Sequence, residues 1–137
     1  MGTLVAWHRE VLATLGTALP SFLGPADSLP TVGGRIAQCA VLWPTTGQTH
    51  TRAAGGVHQR TDTVAVVFVG ATSLDALAAV QKGRAALEGA RLIASGTGGG
   101  QVREGGFVGA SPTVEPGTDP VRVSLTVQFS AVTKDPR

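Results

Sequence analysis

A chain of 137 residues is most simply one domain, long enough to bury roughly two-thirds of the surface its unfolded form exposes. With 42% hydrophobic residues but only 4% aromatic ones and no Tyr, the core is predicted to be built of Val, Leu, Ala and Ile, which leaves no material for an aromatic ligand cage. The formal charge of +2 comes from scattered basic and acidic residues without a basic run, which argues against a dedicated duplex-binding face.

The single Cys39 excludes an internal disulfide and fits a reducing compartment. Its setting in Gln38-Cys-Ala-Val-Leu42 reads as strand interior, hence an inert buried thiol. His8, Arg9 and Glu10 interrupt the first apolar stretch, so no secretory signal is expected, and no run approaches the ~20 apolar residues of a membrane span. These features fit a cytoplasmic protein or a part of a soluble assembly.

Leu4, Trp7, His8, Val11, Leu12, Leu15 and Leu19 recur at helical spacing behind Thr3, a suitable N-cap, and predict an amphipathic helix ended by Pro20. His8 lies at the margin of the apolar stripe. From Ser21 to Gly34 the Pro, Asp, Ser and Gly residues read as an irregular connection. Arg35 to Trp43 then reads as a strand, with Ile36, Ala40 and Leu42 on one face and Ala37, Cys39, Val41 and Trp43 on the other. A polar loop is expected over residues 44–56.

Thr63-Val-Ala-Val-Val-Phe-Val69 is nearly continuous apolar sequence rich in β-branched residues, a central strand covered on both faces. Just before it, His58, Arg60 and Asp62 alternate on one side of an extended segment, a polar row that fits either a subunit seam or a solvated strand end. After Gly70 the period changes. Thr72-x-x-Asp75 is a capping-box start, and Ala76, Ala79, Val80, Gly83, Ala86 and Leu87 form one stripe of mostly small residues on a helix closed by Gly89. That stripe is predicted to lie close on the sheet.

Arg91 to Ala94 reads as a short extended piece, and Ser95-Gly-Thr-Gly-Gly-Gly100 as a flexible connector: neither Lys-Ser nor Lys-Thr follows, so it is not a phosphate loop. Gln101 to Val108 fits a short strand or arm, and Gly109 to Pro120 completes a second long loop, about 95–120. Val121, Val123, Leu125, Val127, Phe129 and Ala131 alternate with Arg122, Ser124, Thr126, Gln128 and Ser130, an antiparallel-type strand with one apolar and one polar face. The end, Thr133 to Arg137, is expected to fray. The fold class that results is α+β, an α/β sandwich with a mainly antiparallel central sheet and two helices packed on one face.

Catalytic chemistry finds little to work with. The three His and Cys39 lack the close pairings of zinc sites, no G-x-S-x-G elbow occurs, and the few carboxylates offer no catalytic pair. No catalytic residue, metal ligand or cofactor is assigned, and a non-enzymatic scaffold is expected.

The layout resembles the tail terminator (tail completion) proteins of long-tailed bacteriophages. The likeness rests on the amphipathic first helix, His58-Gln-Arg-Thr-Asp-Thr-Val-Ala-Val-Val-Phe-Val69, the helix Ser73 to Glu88 with Leu87-Glu-Gly-Ala-Arg-Leu92, and Asp119-Pro-Val-Arg-Val-Ser-Leu-Thr-Val-Gln-Phe129. It implies a homo-oligomeric ring, usually a hexamer, that caps the tail tube, ends its polymerisation and joins it to head-completion or connector proteins. DNA would pass through the ring without sequence readout, and no membrane is involved. The expected location is the tail or neck of the virion, assembled in the bacterial host cytoplasm.

Ring contacts need heterologous surfaces, for which long loops are natural carriers. The candidates are His50 and Arg52 in the first loop, His58 and Arg60 in the polar row, and Arg103 and Phe107 in the arm. Two other readings compete: another neck component, such as a head-tail connector or minor tail protein, and a small cytoplasmic α+β enzyme or ligand-binding domain. The last predicts an apolar pocket with convergent polar groups near His58, Arg60 and Asp62.

Overall fold

The computed structural model describes residues 4–25, 28–51, 57–96, 99–105 and 111–136, with the backbone alone at 50, 51, 57, 58, 135 and 136. Its spine is a pair of long antiparallel strands. Each of β6 (Val57–Gly70) and β9 (Val123–Pro136) has 14 residues, and they pair along their whole lengths, from Val57 opposite Pro136 to Gly70 opposite Val123.

Around this pair the main sheet runs β1-β4-β6-β9-β7, with β5 also on β6 and β8 also on β9; the ranges are β1 Ser21–Leu23, β4 Cys39–Pro44, β5 Gln48–Thr51, β7 Arg103–Gly105 and β8 Thr113–Val114. All its pairings are antiparallel except β1 on β4, where Ser21, Phe22 and Leu23 lie parallel to Ala40, Val41 and Leu42. The long strand β6 has two successive neighbours on one side. Val64 to Val69 pair with β4, whereas His58 to Thr61 pair with β5.

Both helices cover one face, as the apolar patterns predict. On that face Ala40 and Leu42 of β4, Val64, Val66 and Phe68 of β6, and the odd residues Val123 to Ala131 of β9 join Trp7, Val11 and Leu15 of α1 (Leu4–Gly16) and Ala76, Ala79, Val80 and Leu87 of α2 (Ser73–Leu87) in one core. Each large side chain fully withdrawn from water there contributes about 1.5–3 kcal/mol. Helix α2 starts as its sequence requires: the Thr72 hydroxyl accepts from the Asp75 amide at 3.1 Å. Its small-residue stripe brings it so near the sheet that a Cβ on Gly83 would lie 2.4 Å from the Phe68 ring. Phe68 in turn meets Phe129 edge-on, ring centroids 6.5 Å apart.

Among the described residues the second face is covered at one corner, so the central strand is enclosed on both sides as expected at Val67 and Val69, while Thr63 and Ala65 are half-buried. At that corner Leu29, Ile36, Cys39, Val41 and Val69 cluster, with Phe22 and Val67 against them. The cover is a hairpin of β2 (Thr31–Val32) and β3 (Arg35–Ile36), turning through Gly33 and Gly34, both at positive φ (60° and 78°). Two consecutive positive φ values are what a two-residue hairpin turn demands. Residues 21–34, read as irregular, thus contain strands too short to show a period. Ile36 belongs with Cys39 and Val41, not with Ala40 and Leu42, because the chain leaves the strand at Ala37 and Gln38 before β4 begins. Beyond that corner the second face carries Ser124, Thr126, Gln128 and Ser130 of β9, with Thr126 and Gln128 exposed.

Three further segments depart from expectation. Residues 44–56 are not wholly loop, since β5 pairs with β6. Ile93–Ser95 is a 3-10 turn in place of an extended piece. Of the glycine segment that follows, read as a flexible connector, Thr97 and Gly98 lie outside the described residues, while Gly99 is buried and the Gly100 amide donates to the Val132 carbonyl at 2.9 Å.

Candidate contact surfaces

The six residues singled out from sequence separate in the structure. Arg52 and Phe107 lie outside the described residues. The His50 backbone sits in β5 opposite Gln59, and that of His58 in β6 between Thr51 and Asp135. Arg60 and Arg103 are fully described, and each is already engaged.

The polar row on β6 is not a solvated seam at Asp62. This carboxylate is fully buried on the helix side of the sheet. It accepts from Arg60 twice, Nε to Oδ1 at 2.5 Å and an Nη2 to Oδ2 at 3.1 Å, and from the Thr133 hydroxyl at 2.5 Å. A buried carboxylate left without such partners costs several kcal/mol, so the three side chains stand or fall together. Thr133 itself is buried and paired within β9, which is why the predicted frayed end is instead strand through Pro136. The pairing follows from register, because Arg60 lies opposite Thr133 and Asp62 opposite Ala131 on one face. No sequence spacing could announce a partner 71 residues away.

A second set of charges ties α2 to the edge strand β7. The Arg84 guanidinium grips Glu104 with two bonds, at 2.5 and 2.8 Å. One Glu88 oxygen accepts the Glu104 amide at 2.7 Å, and the other accepts from Arg103 at 3.2 Å. The bond from Arg84 holds the Glu104 carboxyl below its ordinary value and raises Arg84 above its own. Arg103, proposed for a contact, therefore anchors an edge strand while keeping its side chain 62% exposed. Glu104 is not a loose arm residue.

Flanking α1 on its β1 side is an open apolar hollow of about 550 Å³, lined by Leu4, Val5, Leu23 and Pro44 with His8 and Arg9. His8 is buried, and its Nε2 donates to the Thr45 carbonyl at 2.9 Å, so that proton is committed to holding the strand end. The ring also packs edge-on against Trp7, centroids 5.0 Å apart. His8 is a core-margin residue, as its place at the edge of the apolar stripe predicts. Val5 and Leu23 stay 60% and 48% exposed, so no described residue roofs the hollow. This hollow lies away from Asp62, and of its buried His8 ring Nε2 is bonded while Nδ1 has no partner among the described residues.

On the other flank of α1, the Glu10 carboxylate accepts the amides of Ile93 and Ala94, at 2.7 and 3.0 Å. It caps the 3-10 turn as an acidic residue caps a helix start. Ile93, thus fixed, is 90% exposed, the most exposed large apolar side chain among the described residues.

Cys39 is buried and desolvation pushes its thiol up to about 11, an inert group. Among the described residues no three His, Cys, Asp or Glu side chains gather as metal ligands, and no helix is long and apolar enough to cross a membrane. Compared with models of known protein families and with curated proteins, the chain matches none.

Proposed function

We propose that the protein is a structural subunit of the tail-terminator type, assembling with its own copies into a six-fold ring at the end of a bacteriophage tail tube. The observation that carries this reading is the one-sided layering of the sheet. Helices seal one face, and beyond the hairpin corner the other presents a polar row, Ser124, Thr126, Gln128 and Ser130, on the longest ladder in the molecule. A face of that composition is soluble alone and supplies hydrogen-bonding groups to a neighbour. The family resemblance supplies the biological setting, including contacts with tube and head-completion or connector proteins and a virion location.

DNA in the channel would meet scattered positive charge such as Arg103, a sequence-independent and salt-sensitive contact. The test is electron microscopy of the purified protein mixed with tail tubes of the phage that encodes it. A ring seated on one tube end, with elongation arrested, is the expected result. Binding at the far side of a neck, away from the tube, would reassign it to a connector. A stable dimer that ignores tubes and holds a small ligand would replace the structural reading with an enzyme or binding domain.

A further inference from the structure

We propose that Ile93 is the knob, and the hollow beside the start of α1 the hole, of a head-to-tail contact between successive copies of this chain. The inference rests on the ring reading above and names the surfaces that would build it.

Three observations converge. First, the knob is rigid. Ile93 is 90% exposed, yet its own amide and that of Ala94 are both bonded to Glu10, so little freedom is left to lose on docking. Leu74, also exposed at 77%, sits on the first turn of α2 and has no such brace among the described bonds. Second, the hole is open and apolar. Leu4, Val5, Leu23 and Pro44 make most of its wall beside Thr45 and Thr46, a surface suited to an aliphatic side chain; His8 donates through Nε2 to the Thr45 carbonyl and its buried Nδ1 has no partner among the described residues. About 550 Å³ accommodates an isoleucine together with the backbone that carries it.

Third, charge and direction agree. Arg9 lines the hole and makes no ion pair among the described residues; Glu10, directly beneath the knob, is paired there only with backbone amides. Seating Ile93 in a neighbour's hollow brings Glu10 toward that neighbour's Arg9. At about 100° per helical residue, the mean direction of positions 4, 5, 8 and 9 lies roughly 170° from that of position 10. Knob and hole therefore occupy opposite flanks of α1. Two different patches on opposite sides make a heterologous contact, which propagates from copy to copy and closes into a ring when the rotation permits.

The experiment uses cysteine pairs in the full chain, with Cys39 left in place because it is buried. Val5→Cys and Ile93→Cys proteins are treated with a short bismaleimide, separately, mixed, and combined in one chain, both free and on tail tubes. The expected result is dimers only from the mixture, a ladder of multimers from the double variant, and neither from the single variants. In parallel, Ile93→Asp is expected to weaken self-association by roughly tenfold or more, while Leu74→Asp, at another exposed apolar position, leaves it unchanged. Ile93→Cys cross-linking to itself, or no product from the mixture under either condition, would overturn the proposal. The two readings fail separately: rings on tubes without cross-links remove the knob and hole, whereas a ladder from protein that ignores tubes removes the terminator.

Discussion

The two halves of the β6 and β9 pair are held by different physics. From Val64 to Gly70, facing Val123 to Phe129, the helix-side residues are Val64, Val66, Phe68, Leu125, Val127 and Phe129, buried under α1 and α2. From Val57 to Thr63, facing Ser130 to Pro136, the described side chains buried on that side are Ala131, at the margin of the same core, and then the polar pair Asp62 and Thr133. The first half is held by non-directional apolar burial, which tolerates exchange of similar volumes. The second is held by directional bonds that fail when one partner is lost. A strand can therefore be continuous in pairing yet change its source of stability midway.

Replacing Phe68 with Ala attacks the apolar half and should cost the most, about 3–5 kcal/mol, because Gly83 already lies on the ring and α2 cannot collapse further onto the gap. Denaturant unfolding would show it, and amide exchange should quicken in both halves, since global stability falls. Asp62→Ala attacks the polar half. Breaking a buried pair costs 3–5 kcal/mol, reduced here to about 2–3 because the Arg60 side chain keeps 21% of its surface in water. Exchange should quicken over residues 59–63 and 130–134 while 64–69 stay protected; equal loss in both halves would erase the distinction.

Thr133→Val, which keeps the shape and removes one bond to the carboxylate, is a sharper version, expected at about 1–2 kcal/mol by the same unfolding measurement. The smallest effect belongs to the charges between α2 and β7. Because the bond from Arg84 depresses Glu104, its contribution is full above the ordinary carboxylate range and disappears as pH falls through the lowered folded value. Glu104→Gln should thus lower stability at neutral pH by about 0.5 kcal/mol, Glu104 being on the surface, with the difference from the parent vanishing in acid.

What could be read from sequence follows from how local the cause is. The Thr72 cap, the stripe ending at Leu87 and the alternation of β9 are written in neighbouring residues, and all three stand in the structure. The segment Ser21–Leu23 escaped because three residues show no period and their partner, β4, lies parallel to them across a connection without helix. The 3-10 turn at Ile93 escaped because its cap, Glu10, is 83 residues away. Loops drew attention for their length, while Ile93 and the hollow at Leu4 and Leu23 become visible only when α1 has both flanks occupied.

Fourteen residues at about 3.3 Å each make the central ladder roughly 45 Å long, more than the ~37 Å width of a sphere with the radius of gyration expected for this chain length. With both strands paired throughout, it behaves as a beam, not a hinge. A load applied at the Val57 and Pro136 end would be transmitted as tilt and torsion to the Gly70 and Val123 end, close to the start of α2. Force, and not only affinity, can pass between the two ends of this protein.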